Sequence, residues 1–218
     1  MNKQIIAAAV LLGTAATSGM AAELTGNAGF VSEYLFRGVP QTDGDAAAQG
    51  GLDLGFDSGF YLGTWGSSVK GDTSGVEVDL YGGWGGESGD FSYGIGGTYY
   101  TYTNDFDEDY VEANLNAGWK WFSVDVAVGE YDSKPTKADY TFASLTAEHN
   151  GLYATYGSFS QDFDGAYVEL GYGSTLSVAG EDLFDYSISY IRSEDKLIGD
   201  IEDGNTLIFG ITKNFIIK

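Results

Sequence analysis

The side chains best suited to act on ions recur along the whole chain. Glu33, Asp53, Glu77, Asp79, Glu112, Asp125, Glu148 and Glu169 are acidic, and Arg37 and Lys120 are the basic residues set among them. Gathered around a water-filled lumen, such groups need no bond-making chemistry. A ring of carboxylates attracts counter-ions and so favours cations. Glu33, Arg37, Asp53, Glu77, Asp79, Glu112 and Asp125 are the pore-lining candidates. Arg37 has two readings: a constriction with Asp53 or Glu77, or a structural ion pair that starts from Glu33 on the same face.

Other chemistries find little support. There is no Cys, which removes disulfides, thiolate metal sites and Cys nucleophiles. The one His, His149, precedes Asn150-Gly151 and reads as a turn residue rather than the base of a nucleophilic serine. No G-x-S-x-G elbow occurs. The segment Asp105-Phe106-Asp107-Glu108-Asp109 has the D-x-D-x-D start of an EF-hand, but Tyr110 and Asn116 stand where Gly and Glu are required. The reading is therefore of a non-enzyme with no cofactor and no resident metal.

Those charges sit on period-two segments, the strand signature. In 110–120, Val111, Ala113, Leu115, Ala117 and Trp119 share one face, and Tyr110, Glu112, Asn114, Asn116 and Lys120 the other. Val76, Val78, Leu80 and Trp84 oppose Glu77, Asp79 and Tyr81 in the same way. The pattern predicts strands over 24–37, 46–56, 60–67, 75–85, 91–102, 110–120, 121–131, 140–148, 152–160, 166–173, 184–193 and 205–215. Most match the ~9–11 residues that cross a bilayer as a tilted strand. Short and long connections alternate, the asymmetry of outer-membrane barrels. Ser174–Leu183 breaks the alternation: either a strand extends there or the strand count is off. The fold class is all-β, an antiparallel up-and-down transmembrane β-barrel of about 12 strands.

Alternation alone does not say which face points outward. A soluble barrel buries its apolar face, and a membrane barrel exposes it. Residues 1–22 read as a signal peptide, with Lys3 followed by the apolar run Ile5–Leu12 and small residues at Ala21-Ala22. Residues 23–218 then form the barrel domain. Aromatics gather near strand ends, as in interfacial girdles: Phe56, Phe60, Tyr61, Tyr99, Tyr102, Tyr110, Trp119, Trp121, Phe122, Tyr131 and Tyr140. These features place the chain in the bacterial outer membrane.

Ser32-Glu33-Tyr34-Leu35-Phe36-Arg37-Gly38-Val39-Pro40-Gln41 resembles the opening motif of the TorF-like porins, a family of bacterial outer-membrane proteins. Gln49-Gly50-Gly51-Leu52-Asp53, Ser58–Ser67 and Glu77-Val78-Asp79-Leu80-Tyr81-Gly82-Gly83 follow at similar spacing, so the resemblance covers 30–85. Glu33 stands in place of Asp and Pro40 in place of Ser, and the chain continues past Phe215. The resemblance implies a porin-like barrel and names no solute.

The net charge of −22 argues against a nucleic-acid partner, because phosphate binding needs a basic surface. Sixteen of the 32 acids fall in the longer connections, where they hydrate a surface or bind divalent cations that bridge to lipopolysaccharide. The expected partners are outer-membrane lipid, lipopolysaccharide and small hydrophilic solutes or ions. The expected function is passive diffusion of such solutes, favouring cations. The alternatives are a non-conducting barrel that acts structurally or through its acidic loops, and a soluble ligand-binding barrel.

Overall fold

The computed structural model describes residues 22–133, 135–199 and 204–217. Of the expected signal peptide, all but Ala22 lies outside the described residues. The elements are β1 (Ala22–Val31), β2 (Leu35–Phe36), β3 (Val39–Pro40), β4 (Ala47–Phe56), β5 (Phe60–Lys70), β6 (Ser74–Ser88) and β7 (Phe91–Tyr102). Then come β8 (Tyr110–Trp119), β9 (Phe122–Tyr131), β10 (Ala138–His149), β11 (Leu152–Gln161), β12 (Gly165–Val178) and β13 (Glu181–Ser193). The single turn of helix α1 (Asp195–Ile198) and β14 (Asn205–Ile217) complete the chain. All strands but β2 and β3 form one closed antiparallel barrel, in which each pairs with its neighbours in sequence and β14 returns to β1. The wall therefore has twelve strands.

Closure follows from the alternation. Each strand has one apolar face, and only a wall closed on itself gives all those faces the same surroundings while leaving no unpaired edge. The apolar faces point out. Phe30, Leu80, Ile95, Leu115, Val128, Leu145, Leu170, Leu207 and Phe209 are all exposed, whereas Glu77, Asp79, Glu112, Ser67 and Thr98 are buried. The usual order of apolar inside and polar outside is reversed, and Leu115 is 54% exposed while Glu77 is 0%.

Tight turns join strands at one end: Asp57–Gly59, Gly89–Asp90, Lys120–Trp121, Asn150–Gly151 and Ala179–Gly180. The remaining connections, all the long ones among them, lie at the other, the loop end. The region 174–183 is a strand extension: β12 and β13 pair out to Val178 and Glu181, with one register shift at Leu176/Ser177. Lys120 is not a lumen residue. It takes a positive φ of 55° at a tight turn and stacks on Trp119.

Two expectations need correction. The strand expected over 24–37 stops at Val31, where Ser32 makes a last pair of bonds to Phe209 before the chain leaves the wall. The aromatic list also divides. Phe60, Tyr99, Trp119, Trp121 and Phe122 are exposed on the outer face, while Tyr100 and Tyr140 are buried inside and Tyr102, Tyr110 and Tyr131 pack among them.

If the outer face meets hydrocarbon, Leu115→Arg at mid-strand lowers the unfolding free energy in lipid vesicles by about 2–4 kcal/mol. At an ordinary water-exposed position the change would stay within about 0.5 kcal/mol. Urea titration of vesicle-inserted protein separates the two.

Candidate functional site

The segment that leaves the wall after Ser32 folds inward as a small hairpin. Leu35 pairs with Pro40 and Phe36 with Val39, and Arg37-Gly38 forms the two-residue tip. Both tip residues have positive φ, 51° and 83°, as a type I′ turn requires. Gly meets that requirement freely. Arg does so with strain, and strained backbone gathers where a side chain must be aimed. Gly38 has a second constraint: a Cβ there would stand 2.8 Å from Tyr167 of β12. The hairpin base is tied down by Tyr34 N–H donating to Thr42 Oγ1 (2.9 Å), Gln41 N–H to the Tyr34 carbonyl (2.7 Å) and Lys70 N–H to the Gln41 carbonyl (2.8 Å).

The strained tip aims Arg37 across the lumen at Glu112 of β8. The two guanidinium nitrogens donate to the two carboxylate oxygens at 2.9 and 2.8 Å, a fork-on-fork pair. Glu112 also accepts from the Tyr100 hydroxyl (2.7 Å), the Tyr140 hydroxyl (2.9 Å) and the Asn114 amide (2.7 Å). The guanidinium lies over the rings of Phe142 (4.4 Å) and Phe36 (4.7 Å). Burial alone would weaken the hold of Arg37 on its proton, but the Glu112 carboxylate outweighs it and leaves the pKa above its ordinary value. The Ser193 hydroxyl donates to the Gly38 carbonyl at 2.6 Å and fixes the tip from β13. Tyr34 packs edge-on against Trp65, and Phe36 against Tyr100.

The cross-strand row through Glu112 is Asp53, Gly63, Tyr81, Thr98, Glu112, Gly129, Tyr140. Its glycines make room for tyrosines. A Cβ on Gly129 would sit 2.3 Å from the Tyr140 ring, which lies over that gap to reach Glu112. Tyr81 crosses Gly63 to Asp53 in the same manner, and Tyr153 lies over Gly171 to reach Glu169 two residues along the same strand.

The candidate residues occupy different levels of the barrel. Arg37 and Glu112 meet directly, and Glu33 is not the partner of Arg37. Glu33 stands at the hairpin base, half-buried, with its pKa raised by burial against a hydrogen bond from the Gly44 backbone. Glu77 and Asp79 are fully enclosed on the inner face of β6. Asp53 and Asp125 are half-buried on β4 and β9, nearer the turn end, with Asp125 opposite Asn116 and Ser144. Tyr100, Tyr140 and Ser193 were missed as members of this network. The aromatic–acid alternation in 98–114 and 140–142 could not reveal a partner that arrives from residue 37. Among the described residues no group of three or more His, Cys, Asp or Glu side chains is arranged to hold a metal ion. A cleft of about 220 Å³ remains beside the hairpin at the loop end, lined by Glu33, Pro40, Asp43, Asn205 and Thr206 among others.

The comparisons bear on fold and family. A family model described as "Bacterial protein of unknown function (Gcw_chp)" matches residues 14–196. A comparison with curated proteins gives no match. Among solved structures, one from a study of in-meso crystallization of membrane proteins has 11% identity and a TM-score of 0.52, over 88% of this chain and 84% of that one. OccAB2 of Acinetobacter baumannii has 11% identity and a TM-score of 0.44, over 80% of this chain and 56% of that one. OccK1 (OpdK) of Pseudomonas aeruginosa has 14% identity and a TM-score of 0.43, over 89% and 66%. This chain thus spans less than two thirds of either Occ protein. The first likeness shows a shared barrel fold.

Removing Arg37 alone strands a buried carboxylate, so Arg37→Ala is expected to cost about 3–5 kcal/mol. In a double-mutant cycle with Glu112→Gln, the second change recovers part of that loss. Equilibrium unfolding of the four proteins checks it, and strict additivity would show that the pair is not coupled.

Proposed function

The chain belongs to the Gcw_chp family of bacterial proteins, and we propose that it acts as an outer-membrane, porin-like barrel for passive diffusion of small hydrophilic solutes, with cations favoured. The observation that carries this reading is the reversed wall, apolar outside and carboxylate-rich inside. Barrel strands of 10–15 residues support it, since a tilted strand needs ~9–11 to cross hydrocarbon. So do the outward aromatics Phe60, Trp119, Trp121 and Phe122 at the turn end, which suit a lipid interface. The leader at 1–22 and the resemblance to TorF-like porins supply the route of export and the outer-membrane setting. Lipid, lipopolysaccharide at the acidic loop end, and small solutes or ions are the partners in this reading.

Cation preference rests on charge balance. Among the described residues Arg37 is the one basic side chain directed into the lumen, and Glu112 already neutralises it. Asp53, Asp125 and Glu169 remain on the inner wall toward the turn end without a cationic partner, so the path past the hairpin is negative. Of the candidate residues, Glu33, Asp53 and Asp125 line the path in this proposal, with Arg37 at the clasp, whereas Glu77, Asp79 and Glu112 are enclosed behind it. In this proposal the inward hairpin and its Arg37–Glu112 clasp act as the constriction, and the cleft beside Glu33 and Asp43 as the way in. The hairpin also favours a second reading, a non-conducting barrel that acts structurally or through its acidic loops.

Planar-bilayer recording tests the proposal. Discrete steps with a cation-favouring reversal potential are expected, with larger steps for Arg37→Ala and weaker cation preference for Asp53→Asn/Asp125→Asn. Silence from both wild type and Arg37→Ala would overturn it in favour of the second reading.

A further inference from the structure

Glu77 and Asp79 present a charge problem that the clasp does not solve. They are two residues apart on the inner face of β6, so their Cβ atoms stand about 7 Å apart and their carboxyls lean toward the same space. Glu77 is 0% and Asp79 4% exposed. Each keeps one oxygen, Glu77 Oε2 and Asp79 Oδ1, that is buried and has no hydrogen-bond partner. The one bond on Glu77 Oε1 is a long one, 3.3 Å, from the Tyr34 hydroxyl of the hairpin. The nearby guanidinium of Arg37 is fully engaged by Glu112. Two enclosed carboxylates with free lone pairs cannot both stay ionised without a proton or a cation between them.

We propose that Glu77 and Asp79 form a calcium-binding site inside the barrel, beneath Tyr34 of the hairpin, with Glu77 Oε2 and Asp79 Oδ1 as its anionic ligands. A divalent ion matches the charge of the pair. The neighbours of Glu77 offer oxygen donors: the Tyr34 hydroxyl, with buried Ser67 and half-buried Tyr102 as its cross-strand neighbours. Hard oxygen ligands in an irregular arrangement suit calcium, which tolerates flexible geometry, better than magnesium, which demands a regular octahedron and keeps its waters. Because Tyr34 already touches Glu77, an ion here draws the hairpin base onto β6. The site does not depend on conduction and is testable in detergent.

Trp65 supplies a local probe. It packs on Tyr34 at 5.6 Å and faces the cross-strand partner Asp79, whereas Trp84, Trp119 and Trp121 are on the outer face. Terbium added to the chelator-treated, refolded barrel, with excitation selective for Trp, is expected to give saturable sensitised emission that calcium displaces. Glu77→Gln/Asp79→Asn is expected to abolish that emission while keeping the gel mobility of a folded barrel. Trp65→Phe is expected to lose the emission yet retain radioactive calcium, which covers the case in which the double variant does not fold. Absence of Trp-sensitised emission in the wild type, or undiminished emission or calcium retention in Glu77→Gln/Asp79→Asn, would overturn the proposal.

Discussion

Return of β14 to β1 is the constraint from which the rest follows. A closed wall satisfies its backbone N–H and C=O groups between strands, so no edge is left for another chain or for water. Only such a wall, or a helix, can face hydrocarbon, because lipid offers no hydrogen-bond partner. With the outer face given over to Leu, Ile, Val and aromatic side chains, polar and charged groups are forced inward. The interior then has to solve by packing and pairing what a soluble protein leaves to solvent.

Two devices solve most of it. The first sets a glycine beside each tyrosine that must lie flat along the wall, so that its hydroxyl reaches a carboxylate one strand further on. Tyr140 over Gly129 and Tyr81 over Gly63 follow this arrangement, and Tyr153 over Gly171 reaches Glu169 on the glycine's own strand. Such space gives a packing reason for three of the 33 Gly and three of the 16 Tyr. The second device is the inward hairpin, whose strained Arg37 brings a cation to Glu112 from outside the wall altogether. A buried ion pair adds little net stability over an apolar pair, but it fixes one arrangement, since neither charge tolerates losing the other. Specificity of hairpin placement, rather than stability, is what the clasp provides.

Much of the wall was legible in the sequence. Period-two alternation located the twelve barrel strands, and the faces of 76–84, 110–119 and 122–128 came out as the structure has them. What failed was local. Ser32–Phe36 keeps an alternating, aromatic pattern and so reads as a continuation of β1. Arg37-Gly38 is not the Asn-Gly that normally announces a two-residue hairpin. Pro40, which brings no N–H to a ladder, was the available signal that this stretch is not wall. The aromatics misled for a related reason. A tyrosine near a strand end serves a lipid interface or a carboxylate in the lumen equally well, and its own position does not say which. Glu112 was legible as an inward acid, but its partner 75 residues away was not, because pairing across a lumen depends on the path of the chain. Ser174–Leu183 stayed ambiguous until pairing of β12 with β13 showed both strands running past the wall's average length.

The reversed wall is tested most directly by single-tryptophan variants in bilayers of brominated lipid. A chain that keeps only Trp119, exposed on the outer face of β8, is predicted to be strongly quenched. A chain that keeps only Trp65, packed on Tyr34 inside the barrel, is predicted to be nearly unaffected. Equal quenching of the two, or none in either, would contradict a barrel that turns its apolar face to lipid and its carboxylates to the lumen.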